Sequence, residues 1–427
     1  MKGFRVVINA QRNLYRAVPS LLAAILVGML AGCSSNQSAA QQKQNYSFWP
    51  QPPDEPRVQY LTSFQRSSDV TGKRGGFDEM IYGKEAELPI TSPYSLAMWK
   101  GKIYVCDTRS AGVTILDLKQ KVTRIIGRSS AANVTKAADI AITPDGIKYV
   151  ADTGRGAIVV FDAQDRYVIT FAPANLNPVG IAVYGNELFV TDLKAQQVKV
   201  LDRGTGKVLR TIGSPGIEDG HFVRPLSIRI DKEGNLVVSD VMNARIQIFS
   251  RDGKHIGVTG ERGRSYGELY RPKHLAIDSN NFLYVVDASF NNVQLFDEQR
   301  KFLMYFGSAG DHPGAMDLPA GVFVDEDPED IALFQKYVHS AFQPERLVLV
   351  TNQNGPDRVA VYAQGHLLPG KTLMDVANVR ASVGTGMETK APATQPGILP
   401  IVPEDAGQKS PSATQPAAPT TLPAGVK

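Results

Sequence analysis

Asp139, Arg229 and His274 are the side chains in this sequence best suited to chemistry. A histidine can move a proton or bind a metal, a carboxylate can act as base or ligand, and a guanidinium can hold an anion. A repeat draws them together. Aligning six related segments puts Ser95, Asp139, Gly180, Ser227, His274 and Gly321 at one equivalent position. Two places further on, Arg229 stands where the other segments carry Ala97, Ala141, Ala182, Ala276 and Phe323. In a ring of six, the second and fifth segments lie opposite each other, so Asp139 and His274 face across the centre. One histidine and one carboxylate fall short of the three protein ligands of a catalytic zinc. No metal or other cofactor is therefore expected. Arg229 must meet a carboxylate or reach a ligand, because burying an unpaired charge is costly. Ser95, Asp139, Ser227, Arg229 and His274 are thus candidate ligand-binding residues at a channel mouth, and none is assigned a catalytic role.

The elements that would position them recur along the chain. A hydrophobic run ends in an acid at Asp107, Asp152, Asp192, Asp240 and Asp287, and in Asn352 in the sixth copy. The intervals are 45, 40, 48, 47 and 65 residues. Each run follows a strand usually opened by proline and leads into an alternating strand, and five of the six then continue into a further short strand. Four short antiparallel strands per repeat make a propeller blade. Residues 93–363 are therefore expected to form an all-β, six-bladed β-propeller. The acid closing each second strand can accept hydrogen bonds from backbone amides of the following turn, a structural job. Cys106, in the second strand of blade one, is expected to be a buried free thiol.

Two departures from the repeat have their own reading. The segment after blade six, 366–375, does not match the other outer strands, whereas residues 58–64 do. Within a lead-in segment, 49–92, residues 58–64 are expected to supply the missing strand and close the ring. The long last interval contains 327–342, with Asp327 as N-cap, Pro328 in the first turn, and Ile331, Phe334, Val338 and Ala341 at helical spacing. This predicts an amphipathic helical insertion in blade six.

The chain ends are different in kind. Residues 1–32 combine Lys2, Arg5, Arg12 and Arg16 with a ten-residue apolar run, 21–30, too short to span a bilayer. Residues 33–48 read as a flexible polar tether. Residues 371–427 form a disordered tail, proline-rich from residue 391. The whole chain has 46 Lys+Arg against 42 Asp+Glu. Without the four signal cations the two signs balance at 42 each, so nucleic acid is not an expected partner.

Leu30-Ala31-Gly32-Cys33 resembles the bacterial lipoprotein signal. That resemblance implies acylation of Cys33 and cleavage before it, and Ser34 in place of an aspartate implies the outer membrane. The repeats resemble the NHL family, most closely in residues 220–249 and 267–296. The layout, including the lead-in from Trp49, is similar to bacterial six-bladed propeller lipoproteins. The resemblance implies a monomeric, lipid-anchored propeller with a protein or polysaccharide partner in the envelope. Its expected role is a non-catalytic binding or scaffold module. The alternatives it leaves open are an enzyme of lyase or lactonase type at the channel mouth, or an accessory to membrane electron-transfer proteins. NHL-type lyases use several channel histidines around a metal, and this sequence departs from that pattern.

Overall fold

The computed structural model describes residues 46–51, 54–72, 87–372 and 374–376. The expected export signal over residues 1–32, Cys33 and the chain beyond residue 376 lie outside them.

Five antiparallel sheets of four strands and one of five follow one another along the chain. Blade one runs from its inner strand Pro93–Trp99 to its outer strand Val122–Ile126, and blade five from Pro272–Ile277 to Phe302–Phe306. The inner strands touch in the order one to six, and that of blade six touches that of blade one. The protein is therefore an NHL-like six-bladed β-propeller. The second and third strands of each blade are almost wholly buried, whereas the outer strands show one face to water. Apolar side chains from facing blades fill each joint, as Ala97, Tyr104 and Ile115 of blade one do with Ile140, Val150 and Val159 of blade two.

Blade six is closed from the other end of the chain. Val58–Phe64 pairs antiparallel with Val359–Leu367, from Val58 opposite Gln364 to Phe64 opposite Val359, across a bulge between Tyr60 and Thr62. A fifth strand, Phe48–Trp49, adds to its outer edge. Ser47 and Phe48, which the polar composition assigns to the tether, are buried against the propeller. Val376, in the segment read as tail, also packs on this core. Packing therefore begins before residue 48 and continues past residue 371, because the few apolar side chains at these boundaries find the seam of blade six.

The anchor acids do more than form the following turn. Asp107 accepts from the amides of Thr91, Ser92 and Arg109 at 2.6, 3.0 and 2.8 Å. Asp152 holds Thr135, Lys136 and Gly154 in the same way, and Asp287 holds Tyr270, Arg271 and Ser289. Each carboxylate thus stitches the loop before the inner strand to the turn after the second strand. Both loops sit at one end of the channel, and their backbone is fixed by a buried charge.

The insertion differs from a helix over 327–342. Asp327 is the N-cap, accepting from Glu329, but the helix is only Pro328–Ala332, followed by a single 3-10 turn, Gln335–Tyr337. Gln59 of the closing strand donates Nε2 to the Tyr337 carbonyl at 2.9 Å and accepts from the His339 amide through Oε1 at 3.0 Å. Those are the groups a continuing helix would need, and Phe342–Asn352 instead begins as an 11-residue strand.

Beside this insertion lie two buried acids, Asp325 and Asp330. Burial pushes Asp325 up to about 7, with the charges of Asp330 and Asp327 adding to it and the Asp327 amide opposing it. An aspartate whose folded pKa exceeds its unfolded value of about 3.9 costs stability as pH rises from about 4 to 7, and the cost persists above. Asp325→Asn keeps an oxygen for the Asp327 amide and removes the charge. The variant should melt a few degrees above wild type at pH 8 and alongside it at pH 4. Equal melting at both values would count against this account.

Candidate functional site

Three inner-strand side chains meet on the channel axis. Asp139 of blade two, 1% exposed, accepts from His274 Nε2 of blade five at 3.3 Å and from Arg229 Nη1 of blade four at 3.2 Å. It also takes the Ser95 hydroxyl of blade one in a short bond and the Ile181 amide of blade three at 3.1 Å. Burial raises its pKa, but the Arg229 charge and the bonds from His274 and Ser95 outweigh that. The net effect holds it well below the usual carboxylate range.

His274 is engaged on both ring nitrogens. Nδ1 lies 3.2 Å from the Val322 amide of blade six and can only accept there. The neutral ring therefore carries its proton on Nε2, toward Asp139, and the Arg229 Nη2 group 3.1 Å from the same nitrogen meets it donor to donor. Burial lowers the His274 pKa and Arg229 adds to it, while Asp139 and the Val322 contact oppose. Protonation would place a second N–H against the Val322 N–H, so this imidazole is held neutral by geometry as well as by burial. Arg229 Nη1 also donates to the Ile228 carbonyl at 2.7 Å, and its side chain is 18% exposed.

These bonds belong to a belt that runs round the axis. Ser95 joins blade one to two, and Asp139 joins two to three. Thr191 Oγ1 receives the Gly180 amide of its own blade at 2.7 Å and donates to the Leu226 carbonyl of blade four at 3.1 Å. Ser227 Oγ of blade four takes the Leu275 amide of blade five at 3.2 Å. His274 joins five to six, and Thr351 Oγ1 reaches the Tyr94 carbonyl of blade one at 3.3 Å. Gly180 and Gly321 complete the ring by their size. A Cβ on Gly180 would sit 2.4 Å from the Leu226 carbonyl oxygen, and one on Gly321 would sit 2.7 Å from that of Tyr94.

The structure thus brings Ser95, Asp139, Arg229 and His274 into one hydrogen-bonded set, while Ser227 bonds none of them and instead joins blade four to blade five through the Leu275 amide. The belt also holds Ser239, whose Oγ receives the Ser227 amide at 2.9 Å and donates to the Lys273 carbonyl of blade five at 3.3 Å. Thr191, Ser239 and Thr351, each one residue before an anchor, were not singled out from the sequence. The available signal was a hydroxyl at that position in three of the six copies. Cys106 occupies it in blade one; it is fully buried, and burial raises its thiol well above the ordinary range. Among the described residues no group of three or more His, Cys, Asp or Glu is placed to hold a metal ion. A cavity of about 660 Å³ lies off the axis, between the closing strand and the loops at 310–317 and 352–357. Tyr60, Ser63, His312 and Asp357 line it, and none of the five channel residues does.

No family model matches the chain. A probable peptidyl-alpha-hydroxyglycine alpha-amidating lyase of Caenorhabditis elegans is 32% identical over 81 residues, 18% of this chain and 23% of the relative. The E3 ubiquitin-protein ligase TRIM71 of Rattus norvegicus is 29% identical over 120 residues, 27% of this chain and 13% of that protein. The chain spans less than a quarter of the length of either. Among solved structures, a streptogramin B lyase matches with a TM-score of 0.45 at 12% identity, over 66% of this chain and 85% of that one. An auxiliary nutrient binding protein from Bacteroides thetaiotaomicron matches with a TM-score of 0.49 at 11% identity, over 65% and 70%.

Proposed function

We propose that this chain is a non-catalytic binding or scaffold module of the bacterial envelope, held at the outer membrane by acyl chains on Cys33. The observation that carries the binding reading is the saturation of the axial groups. Asp139 has four donors and His274 spends both nitrogens, so neither has a free lone pair or proton for a substrate. An acid–base or metal-assisted mechanism needs such a group poised within reach of the reacting atoms. The anchor reading is supported by the apolar run at 21–30 ending at Cys33, since two or three acyl chains give firm membrane attachment.

The rival reading, a lyase-type enzyme, has the nematode relative's name in its favour and requires a metal or a free base at the axis. Elemental analysis of the purified protein decides between them. The expected result is no stoichiometric zinc or calcium in wild type and a lowered melting temperature, without change in metal content, in His274→Ala. Stoichiometric metal that disappears in His274→Ala would overturn the binding reading. Labelling with a palmitate analogue checks the anchor, with label expected on wild type and absent from Cys33→Ser. Equal label on both would remove the anchor from the proposal.

A further inference from the structure

The axial belt is covered on the anchor-acid side by an apolar collar of Ala138, Val179, Leu226 and Val241, with Tyr94 and Leu193 packed against it. The rim beyond that collar is cationic. The residue immediately before each inner strand is Ser92, Lys136, Asn177, Arg224, Arg271 and Leu318, three cations and no acid among six. The next residue but one into the strand of blade five is Lys273, buried to 6% exposure. Its Nζ finds a neutral partner, the Gln353 side-chain oxygen at 2.8 Å. Arg224 and Arg271 are exposed, and among the described residues neither guanidinium makes a hydrogen bond or ion pair. The anchor acids nearest in sequence, Asp240 and Asp287, are spent on their loops: Asp287 on backbone amides, Asp240 on the Val223 amide and on Arg245.

We propose that this rim is an anion-binding site in which Lys273, Arg224 and Arg271 together hold a small, multiply charged oxyanion of the phosphate or dicarboxylate type. A buried ammonium facing an amide oxygen, with two unpaired guanidinium groups near it, is an arrangement that repels itself when empty. An oxyanion placed among the three would relieve that repulsion and accept charge-assisted hydrogen bonds from each. The apolar collar beside the buried Lys273 lowers the local dielectric, which strengthens the attraction of its ammonium for an anion. Arginine suits the task because its planar fork matches two oxygens of one phosphate or carboxylate.

The electrostatics of Lys273 fit the same picture. Burial first, and then the charges of Arg271 and Arg224, together pull its pKa down to about 8. The groups facing it are those two guanidiniums and the Gln353 amide. Tyr94, near the same two arginines, is pushed up to about 12 by burial and stays neutral. Affinity for an oxyanion should therefore decline above pH 8, where the empty site loses the Lys273 proton.

The inference rests on the binding reading and deepens it. Isothermal titration of the folded Cys33→Ser protein at constant ionic strength tests it, with inorganic phosphate and malonate as the two probes and chloride as the balancing salt. Saturable binding of either is expected at pH 7, at least tenfold weaker in Lys273→Met and in Arg271→Gln. The tighter probe assigns the oxyanion as phosphoryl or carboxylate. No saturable heat with either probe, or equal affinity in the variants, would overturn the proposal. Arg271 is exposed, so its variant carries no folding risk, and thermal melts confirm that Lys273→Met is folded. Failure here leaves the metal analysis untouched, so loss of this site and loss of the binding reading are separate results.

Discussion

Asp139→Ala should lower the melting temperature by on the order of 10 °C, the largest effect of any single substitution on the axis. The carboxylate collects donors from blades one, three, four and five, with Ser95, Ile181, Arg229 and His274 all bonded to it. Truncation leaves a desolvated guanidinium without its counter-charge and a buried amide and hydroxyl without acceptors. Breaking a buried pair from one side costs about 3–5 kcal/mol, and for a domain of this size each kcal/mol is worth about 2–4 °C. Because the native pKa of Asp139 is depressed, its contribution is complete above the unfolded value of about 3.9 and fades as pH falls below it. The gap between wild type and Asp139→Ala should thus stay flat from pH 5 to 8 and narrow only in acid. The double variant Asp139→Leu, Arg229→Leu should recover part of the loss, since replacing both partners by apolar groups removes the stranded charge. Melting of Asp139→Ala within about 2 °C of wild type would show that the belt does not hold the blades.

The fold was legible because each blade repeats the same local decisions. Proline opens the inner strand, a run of buried residues forms the second, and an acid ends it. The repeat position also identified Ser95, Asp139, Ser227 and His274 as one ring. Their partners could not be read from it, since a hydrogen bond between blades two and five joins residues 135 apart. A linear alignment places such side chains on one circle without saying which lean together. Arg229 was visible only as a charge among alanines, and its carboxylate lies 90 residues away. The hydroxyls at Thr191, Ser239 and Thr351 were overlooked for another reason. Threonine and serine in a strand look like ordinary β-formers until a neighbouring inner strand presents a carbonyl to them. Phe48–Trp49 and the length of the insertion helix were set by contacts with blade six, and two residues or five carry no periodicity from which to predict them.

Closure of the ring should be the largest stability effect overall. Deleting residues 56–65 removes the strand Val58–Phe64, in which Val58, Leu61 and Phe64 are buried to 0, 6 and 5% exposure. Full burial of each such side chain is worth about 1.5–3 kcal/mol, so the apolar contribution alone is several kcal/mol. Polar contacts go with it. Gln59 would no longer cap the backbone of Tyr337 and His339, and Asp357 would lose the Ser63 hydroxyl at 2.6 Å. The deletion also bares the edge of Val359–Leu367, whose first five residues, VAVYA, are fully buried in the intact protein. An apolar strand with unpaired amides and carbonyls is a template for pairing between chains. The truncated protein should therefore melt at least 10 °C lower and associate in a concentration-dependent way, as read by calorimetry and analytical ultracentrifugation. A synthetic peptide spanning 46–66 should restore both properties, because it carries the missing strand together with Phe48 and Trp49. If the truncated chain melted with wild type as a monomer, the pairing of first strand with last blade would be dispensable. Stability would then reside in the five remaining joints. The packing argues otherwise: Leu61 and Phe64 sit in the core shared with blade one and Val58 in the core shared with blade five, so losing the strand loosens both joints of blade six.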